Sequence, residues 1–208
     1  MATTTGRVYR IATVTCSVRA PRLNPFISQY VRDTISPSPP TGIALDTIDL
    51  QDQALPLCDE PEIPSHLPPD DPTPHYRNEH TRRWSETVRD YDAFIFVTPQ
   101  YNWSIPASLK NALDYLFHEW KGKPAAVVTY GGKGGGKAAD HLRQILTGLQ
   151  MRVAKSTAQL TVTSKTMEDC LKLDEINGAD TERWRKDGME AGLQNAFKEL
   201  VDMRQGGH

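Results

Sequence analysis

The chain has 208 residues, 38% of them apolar, enough for one domain with a sizeable buried core. Its formal net charge is −2 and its basic residues are scattered, which argues against nucleic acid or an anionic membrane surface as a partner. No stretch of about 18 apolar residues is present to insert into a membrane, and MATTTGRVYRIATVTCS has no apolar run of secretion-signal length. The widely spaced cysteines Cys16, Cys58 and Cys170 form neither a disulfide framework nor a Cys/His metal array, so a reducing, cytoplasmic location is expected.

In chain order, Val8 to Thr15 is β-branched and apolar and ends in a polar turn, after which Phe26, Ile27, Tyr30 and Val31 recur at helical spacing. A second strand is expected over Ile43 to Leu50. Ten of the fifteen prolines then fall between Pro37 and Pro74, which excludes helix and inner strand over most of that segment and makes it a long surface loop. Helix signals resume over Glu79 to Arg89. The strand Asp92 to Thr98 carries the unbroken apolar core AFIFV expected of a strand covered on both faces of a parallel sheet.

A helix from Pro106 to Trp120 follows, with Leu109, Ala112, Leu113, Leu116 and Phe117 on one face and His118 as a cap near its end. Lys110, Asn111 and Asp114 fall on its exposed face, solvated or at a subunit contact. Strand Pro124 to Thr129 leads into the glycine-rich YGGKGGGK and a helix carrying Ala138, Leu142, Ile145, Leu146 and Leu149. A short fifth strand around Met151 to Leu160 and one C-terminal helix from about Thr181 to Val201 complete an alternating α/β pattern. The organisation is one domain over 1–208, with a proline-rich loop at about 51–78 and a C-terminal helical extension at about 180–203.

In such a sheet the strand-to-helix loops share the carboxyl edge and converge where strand order reverses. The loop from Cys16 to Asn24 offers the Ser17 hydroxyl, the Arg19 and Arg22 guanidinium groups and the Asn24 amide at a helix start, a set suited to a phosphate monoester. Read alone, it is equally a solvated turn with Asn24 as N-cap. The loop Thr98-Pro99-Gln100-Tyr101-Asn102-Trp103-Ser104 joins a rigid proline, two aromatic rings and two amides, which suits a flat heteroaromatic ligand. The loop Tyr130-Gly131-Gly132-Lys133-Gly134-Gly135-Gly136-Lys137 allows close backbone approach but lacks the phosphate-loop spacing, since no Ser or Thr follows Lys137. No histidine pairs with Cys, Asp or Glu at ligand spacing, so metal catalysis is not expected. Cys16 reads as a buried, inert thiol.

The chain resembles the NADPH-dependent FMN reductase family of flavodoxin-like proteins over roughly Arg7 to Leu160. Thr98-Pro99-Gln100-Tyr101-Asn102 with Pro106 to Asp114 matches the family's TPEYN and SLKNALD pattern with Gln100 for Glu. Cys16-Ser17-Val18-Arg19 matches its GSxR with Cys for Gly, and Gly131-Gly132 matches its glycine pair. The resemblance implies a doubly wound five-stranded parallel sheet of order 2-1-3-4-5 with helices on both faces. It also implies an FMN held by Ser17, Arg19, Arg22, Asn24, Pro99 to Trp103 and Tyr130 to Gly134, with NADPH or NADH as co-substrate. No residue need act as an acid or base, because hydride passes through the flavin to a quinone, flavin, azo or similar acceptor in a ping-pong cycle. Dimers or tetramers are implied, with Leu116, Phe117 and Trp120 supplying the contact. The proline-rich loop and Cys16 leave open a second reading, a flavin-binding sensor or partner-binding module with little turnover.

Overall fold

The computed structural model describes residues 7–35 and 40–205. Pro37 and Pro39, at the start of the proline-rich segment, lie outside them. Strands β1 (Tyr9–Thr15), β2 (Ile43–Asp49), β3 (Ala93–Pro99), β4 (Pro124–Gly131) and β5 (Arg152–Thr161) pair in parallel in the order β2-β1-β3-β4-β5. The order reverses between β1 and β3, so their carboxyl ends open a crevice between diverging loops.

Strand β3 shows why the sheet is covered twice. Successive side chains alternate faces. Phe94 and Phe96 therefore join Trp84, Trp120, Leu113 and Leu142 in one core, while Ile95 and Val97 join Ile11, Ile27, Trp184 and Leu200 in the other. Burying each large apolar side chain contributes about 1.5–3 kcal/mol. A polar substitution in β3 would therefore be felt in a core whichever way it pointed.

Helices α2 (Glu79–Arg89), α3 (Ala107–Asp114) and α4 (Gly136–Gly148) cover the first face. Helix α1 (Asn24–Ile35) and the C-terminal helices cover the second. The carboxyl-terminal part corrects the single helix expected over Thr181 to Val201: three helices are present, α5 (Ser164–Leu173), α6 (Gly178–Lys186) and α7 (Met189–Gln205). The break between α6 and α7 contains Gly188 at φ +77°, a left-handed conformation that glycine adopts without strain. The fifth strand has the expected length of ten residues and is displaced by one position from Met151 to Leu160.

Helix α3 is shorter than the expected Pro106 to Trp120. After Asp114 the chain turns through i→i−3 contacts, with Leu116 N–H donating to Leu113 O at 3.4 Å and Trp120 N–H to Phe117 O at 3.2 Å. This brings Leu116 and Trp120, each 1% exposed, into the chain's own core, so neither can supply a subunit contact. His118 consequently lies beyond the end of α3, and both its ring nitrogens are buried without a hydrogen-bond partner among the described residues.

Between β2 and α2 the regular structure is two 3₁₀ turns, Pro64–His66 and Thr73–His75. The proline-rich segment is pinned rather than loose: Asn111 accepts from Cys58 N–H at 2.8 Å and donates to Pro56 O at 2.7 Å, and Asp59 meets His80 at 2.9 Å. Asn111 thus anchors this loop instead of facing solvent, while Lys110 and Asp114 pair with each other at 2.6 Å.

Candidate functional site

The first loop is built around Asn24, which is fully buried. Its Oδ1 accepts from Ser17 N–H at 2.7 Å and its Nδ2 donates to Val97 O at 3.0 Å, closing the loop against the end of β3. Ser28 continues the network, accepting from the Thr15 hydroxyl at 2.8 Å. Arg22 is similarly committed. Its guanidinium grips Asp49 through two bonds of 2.8 and 2.7 Å and donates to Ser17 O at 2.6 Å. A bidentate, largely buried pair of this kind fixes geometry more than it attracts ligand. Asn24 and Arg22 therefore shape the loop from behind.

Arg19 is turned the other way, toward solvent, whereas Ser17 is itself fully buried. Arg19 is exposed, has no salt bridge among the described residues, and places its guanidinium 4.1 Å from the centre of the Tyr101 ring. The Ser17 hydroxyl lies 2.7 Å from the Tyr101 hydroxyl and accepts from Arg19 N–H at 3.3 Å. Ser108 Oγ, at the start of α3, donates to Cys16 O at 2.8 Å and ties this loop to the next. Burial pushes the Cys16 thiol well above its ordinary pKa, consistent with the inert thiol expected from the sequence.

The second loop is a tight reversal. Tyr101 and Ser104 exchange two backbone bonds of 2.9 Å, with Asn102 at φ +45° and Trp103 at φ +67° between them. A tryptophan in the left-handed region costs on the order of 1 kcal/mol, yet this one is 70% exposed. Pro99 is buried at the end of β3. Gln100 reaches across to the third loop, its Oε1 accepting from Lys137 N–H at 3.0 Å and Ala138 N–H at 3.3 Å, so the amide stands where it caps α4.

In the third loop Tyr130 is 5% exposed and closes the sheet edge. Gly134 and Gly135, at φ +78° and +84°, make the turn, and a Cβ on Gly134 would come 2.9 Å from Gln159 O. By contrast, a Cβ on Gly132 would meet nothing within 4 Å. Gly132 thus presents an open backbone face, with Lys133 exposed beside it, whereas a Cβ on Gly131 would already lie 3.5 Å from Gly135 N.

Of the residues expected at the site, the fold brings Ser17, Arg19 and Tyr101 into direct contact and joins Gln100 to the third loop. It holds Asn24, Arg22, Pro99, Tyr130 and Gly134 as buried or paired supports. Sequence reasoning missed Asp49, Ser28, Ser108 and Lys137. Asp49 was legible in principle, since the last residue of β2 must lie beside the end of β1, where it pairs with Thr15.

The donor set fits FMN. An unpaired guanidinium with a hydroxyl suits a phosphate monoester, and an aromatic loop facing an open glycine backbone suits a flat ring with polar edges. A flavodoxin-like protein with such loops is defined by both fold and site. The sequence agrees: residues 9–164 match the model of the NADPH-dependent FMN reductase family, and the chain belongs to that family.

Among its relatives, the NAD(P)H-dependent FMN reductase of Saccharomyces cerevisiae is 44% identical over 154 residues, covering 72% of this chain and 79% of that protein. A quinone reductase of Pseudomonas putida is 37% identical, covering 70% of this chain and 74% of its own length. The fold matches the flavoenzyme NAD(P)H:(acceptor) oxidoreductase FerB of Paracoccus denitrificans with a TM-score of 0.63 at 20% identity, covering 93% of this chain and 99% of that one.

Proposed function

We infer that the protein is an FMN-dependent NAD(P)H oxidoreductase acting on small electron acceptors such as quinones, flavins or azo compounds. The observation that carries this reading is the placement of an unpaired Arg19 and the Ser17 hydroxyl against Tyr101, at the reversal in strand order. Family membership and the relatives named as FMN and quinone reductases support it.

FMN, when bound, supplies hydride transfer from NAD(P)H to the acceptor. The chain's own residues bind and orient. Arg19 and Ser17 hold the phosphate, Tyr101 borders the ring system, and Gly132 lets the backbone approach its polar edge. No side chain here need move a proton, and one open face can serve donor and acceptor in turn.

A homodimer belongs to the same proposal, with a tetramer as the larger alternative. The supporting surface is a cleft of ≈ 360 Å³ between the first loop, the proline-rich loop and α3, lined by Val18, Leu50, Leu55, Leu57 and Ala107. Leu57 is 85% exposed there. A reducing, cytoplasmic location is supported by three unpaired cysteines, and no described helix is long and apolar enough to cross a membrane.

The test is anaerobic addition of NADPH to the FMN-loaded protein. The flavin bands should bleach and return with a quinone. Bands that persist under excess NADPH and NADH would contradict the reading.

A further inference from the structure

A second feature lies beside the proposed flavin seat. Gln100, Trp103, Gly132, Lys133, Lys137 and Asp140 border an open cleft of ≈ 660 Å³. Lys133 and Lys137 are both exposed. The lysine salt bridges among the described residues are those of Lys110, Lys165, Lys172 and Lys186, so these two ammonium groups are left uncompensated by pairing. In a chain of net charge −2, two free cations converging on one cleft are a local excess of positive charge. Trp103, 70% exposed at the rim, offers a wide aromatic face that the core does not use.

A ligand matching these walls needs an anionic group for the lysines and a flat aromatic group for the indole. It must also extend from the flavin seat, because Gln100 and Gly132 belong to both. We propose that this cleft receives the adenosine end of the coenzyme, with Lys133 and Lys137 binding the 2′-phosphate of NADPH and Trp103 stacking on the adenine. The inference rests on the oxidoreductase reading and adds to it which coenzyme the chain selects and through which residues.

The charge logic is specific. A 2′-phosphate carries between one and two negative charges at neutral pH, and an ammonium is a flexible point charge suited to it. At about 4 Å in a water-exposed cleft, one such pair changes affinity about fivefold. Asp140 opposes it from the same cleft, so its removal should act in the reverse direction. Stacking on Trp103 is indifferent to the 2′-phosphate and should affect both coenzymes alike.

The experiment is calorimetric titration of the purified protein with adenosine 2′,5′-bisphosphate and, separately, adenosine 5′-monophosphate, at low ionic strength. The wild type should prefer the bisphosphate about tenfold or more. K133Q and K137Q should each weaken bisphosphate binding about fivefold and leave the monophosphate within about twofold, D140N should tighten the bisphosphate, and W103A should weaken both nucleotides together. Equal binding of the two nucleotides by the wild type, or bisphosphate binding unmoved by both lysine substitutions, would overturn the assignment. Visible flavin bands read in the same FMN-treated samples keep the two failures apart. Absent bands overturn the flavin reading, whereas equal nucleotide binding overturns the lysine assignment whatever the spectrum shows.

Discussion

The hydroxyls of Ser17 and Tyr101 stand 2.7 Å apart, joining the loop after β1 to the loop after β3 across the reversal in strand order. The bond holds the Tyr101 ring under the Arg19 guanidinium and so sets the spacing between the proposed phosphate-binding and ring-binding parts of the site. Tyr101→Phe keeps the ring and loses one bond worth about 1 kcal/mol. FMN affinity should fall about fivefold, and Tyr101→Ala should cost several times more because the cation–π contact goes too. Quenching of flavin fluorescence measures both.

The two arginines of the first loop should separate cleanly. Arg19→Ala removes a group without an ion-pair partner and should weaken FMN binding about 10- to 100-fold with little effect on thermal unfolding. Arg22→Ala leaves Asp49 unpaired where the two side chains are only 15% and 18% exposed. It should destabilise the fold by about 1–3 kcal/mol, a melting-temperature loss of about 2–10 °C. Thermal scans without flavin, set beside flavin titrations, show whether the two effects divide in this way.

The third loop allows a similar contrast. Gly135→Ala would place a Cβ 3.0 Å from both Thr129 Cβ and Tyr130 O at φ +84° and should cost about 2–3 kcal/mol of stability. Gly132→Ala meets nothing within 4 Å and should leave the melting temperature unchanged while weakening FMN binding, since its added methyl enters the open face. A Gly132→Ala protein that binds FMN normally would place the ring elsewhere.

Lys123 carries a pH signature unrelated to the site. Burial lowers its amine from 10.5 to about 8. Between those values the unfolded chain binds the proton and the folded one does not, so stability rises with pH across the window. Below pH 8 both states are protonated and the full penalty, up to about 3 kcal/mol, persists. Lys123→Met should therefore raise the urea midpoint at pH 7, and the gain over wild type should shrink by pH 9.5.

Thiol reactivity tests the burial of the cysteines. Cys16 and Cys170 are buried and Cys58 is exposed, and burial raises the Cys170 thiol to about 11. A disulfide reagent at pH 8 should titrate Cys58 alone in the native protein and all three thiols in denaturant. Rapid modification of Cys16 would show that the first loop opens.

How much of this was legible in the sequence depends on the range of the interaction. AFIFV announced a doubly covered strand because its apolar run needs no distant partner to be recognised. The aromatic and glycine-rich loops were legible as neighbours because sheet topology alone sends them to one edge. The stretch from Tyr115 to Trp120 misled because turns with i→i−3 contacts bury Leu116 and Trp120 at a spacing that also fits a helix. Helix α5 escaped because its capping box pairs Thr163 with Thr166 rather than with an acidic or amide side chain. The roles of Arg22 and Asn24 were hidden because Asp49 and Val97 lie 27 and 73 residues away, and only the assembled sheet sets them beside the first loop.

The decisive measurement is the affinity of the purified protein for FMN and for riboflavin, titrated side by side. If Ser17 and Arg19 form the phosphate seat of a flavin site, FMN should bind one per chain and at least about 100-fold more tightly than riboflavin, two charge-assisted contacts being worth about 3 kcal/mol or more. Equal affinities would contradict the phosphate seat, and no binding of either would contradict the flavin site itself.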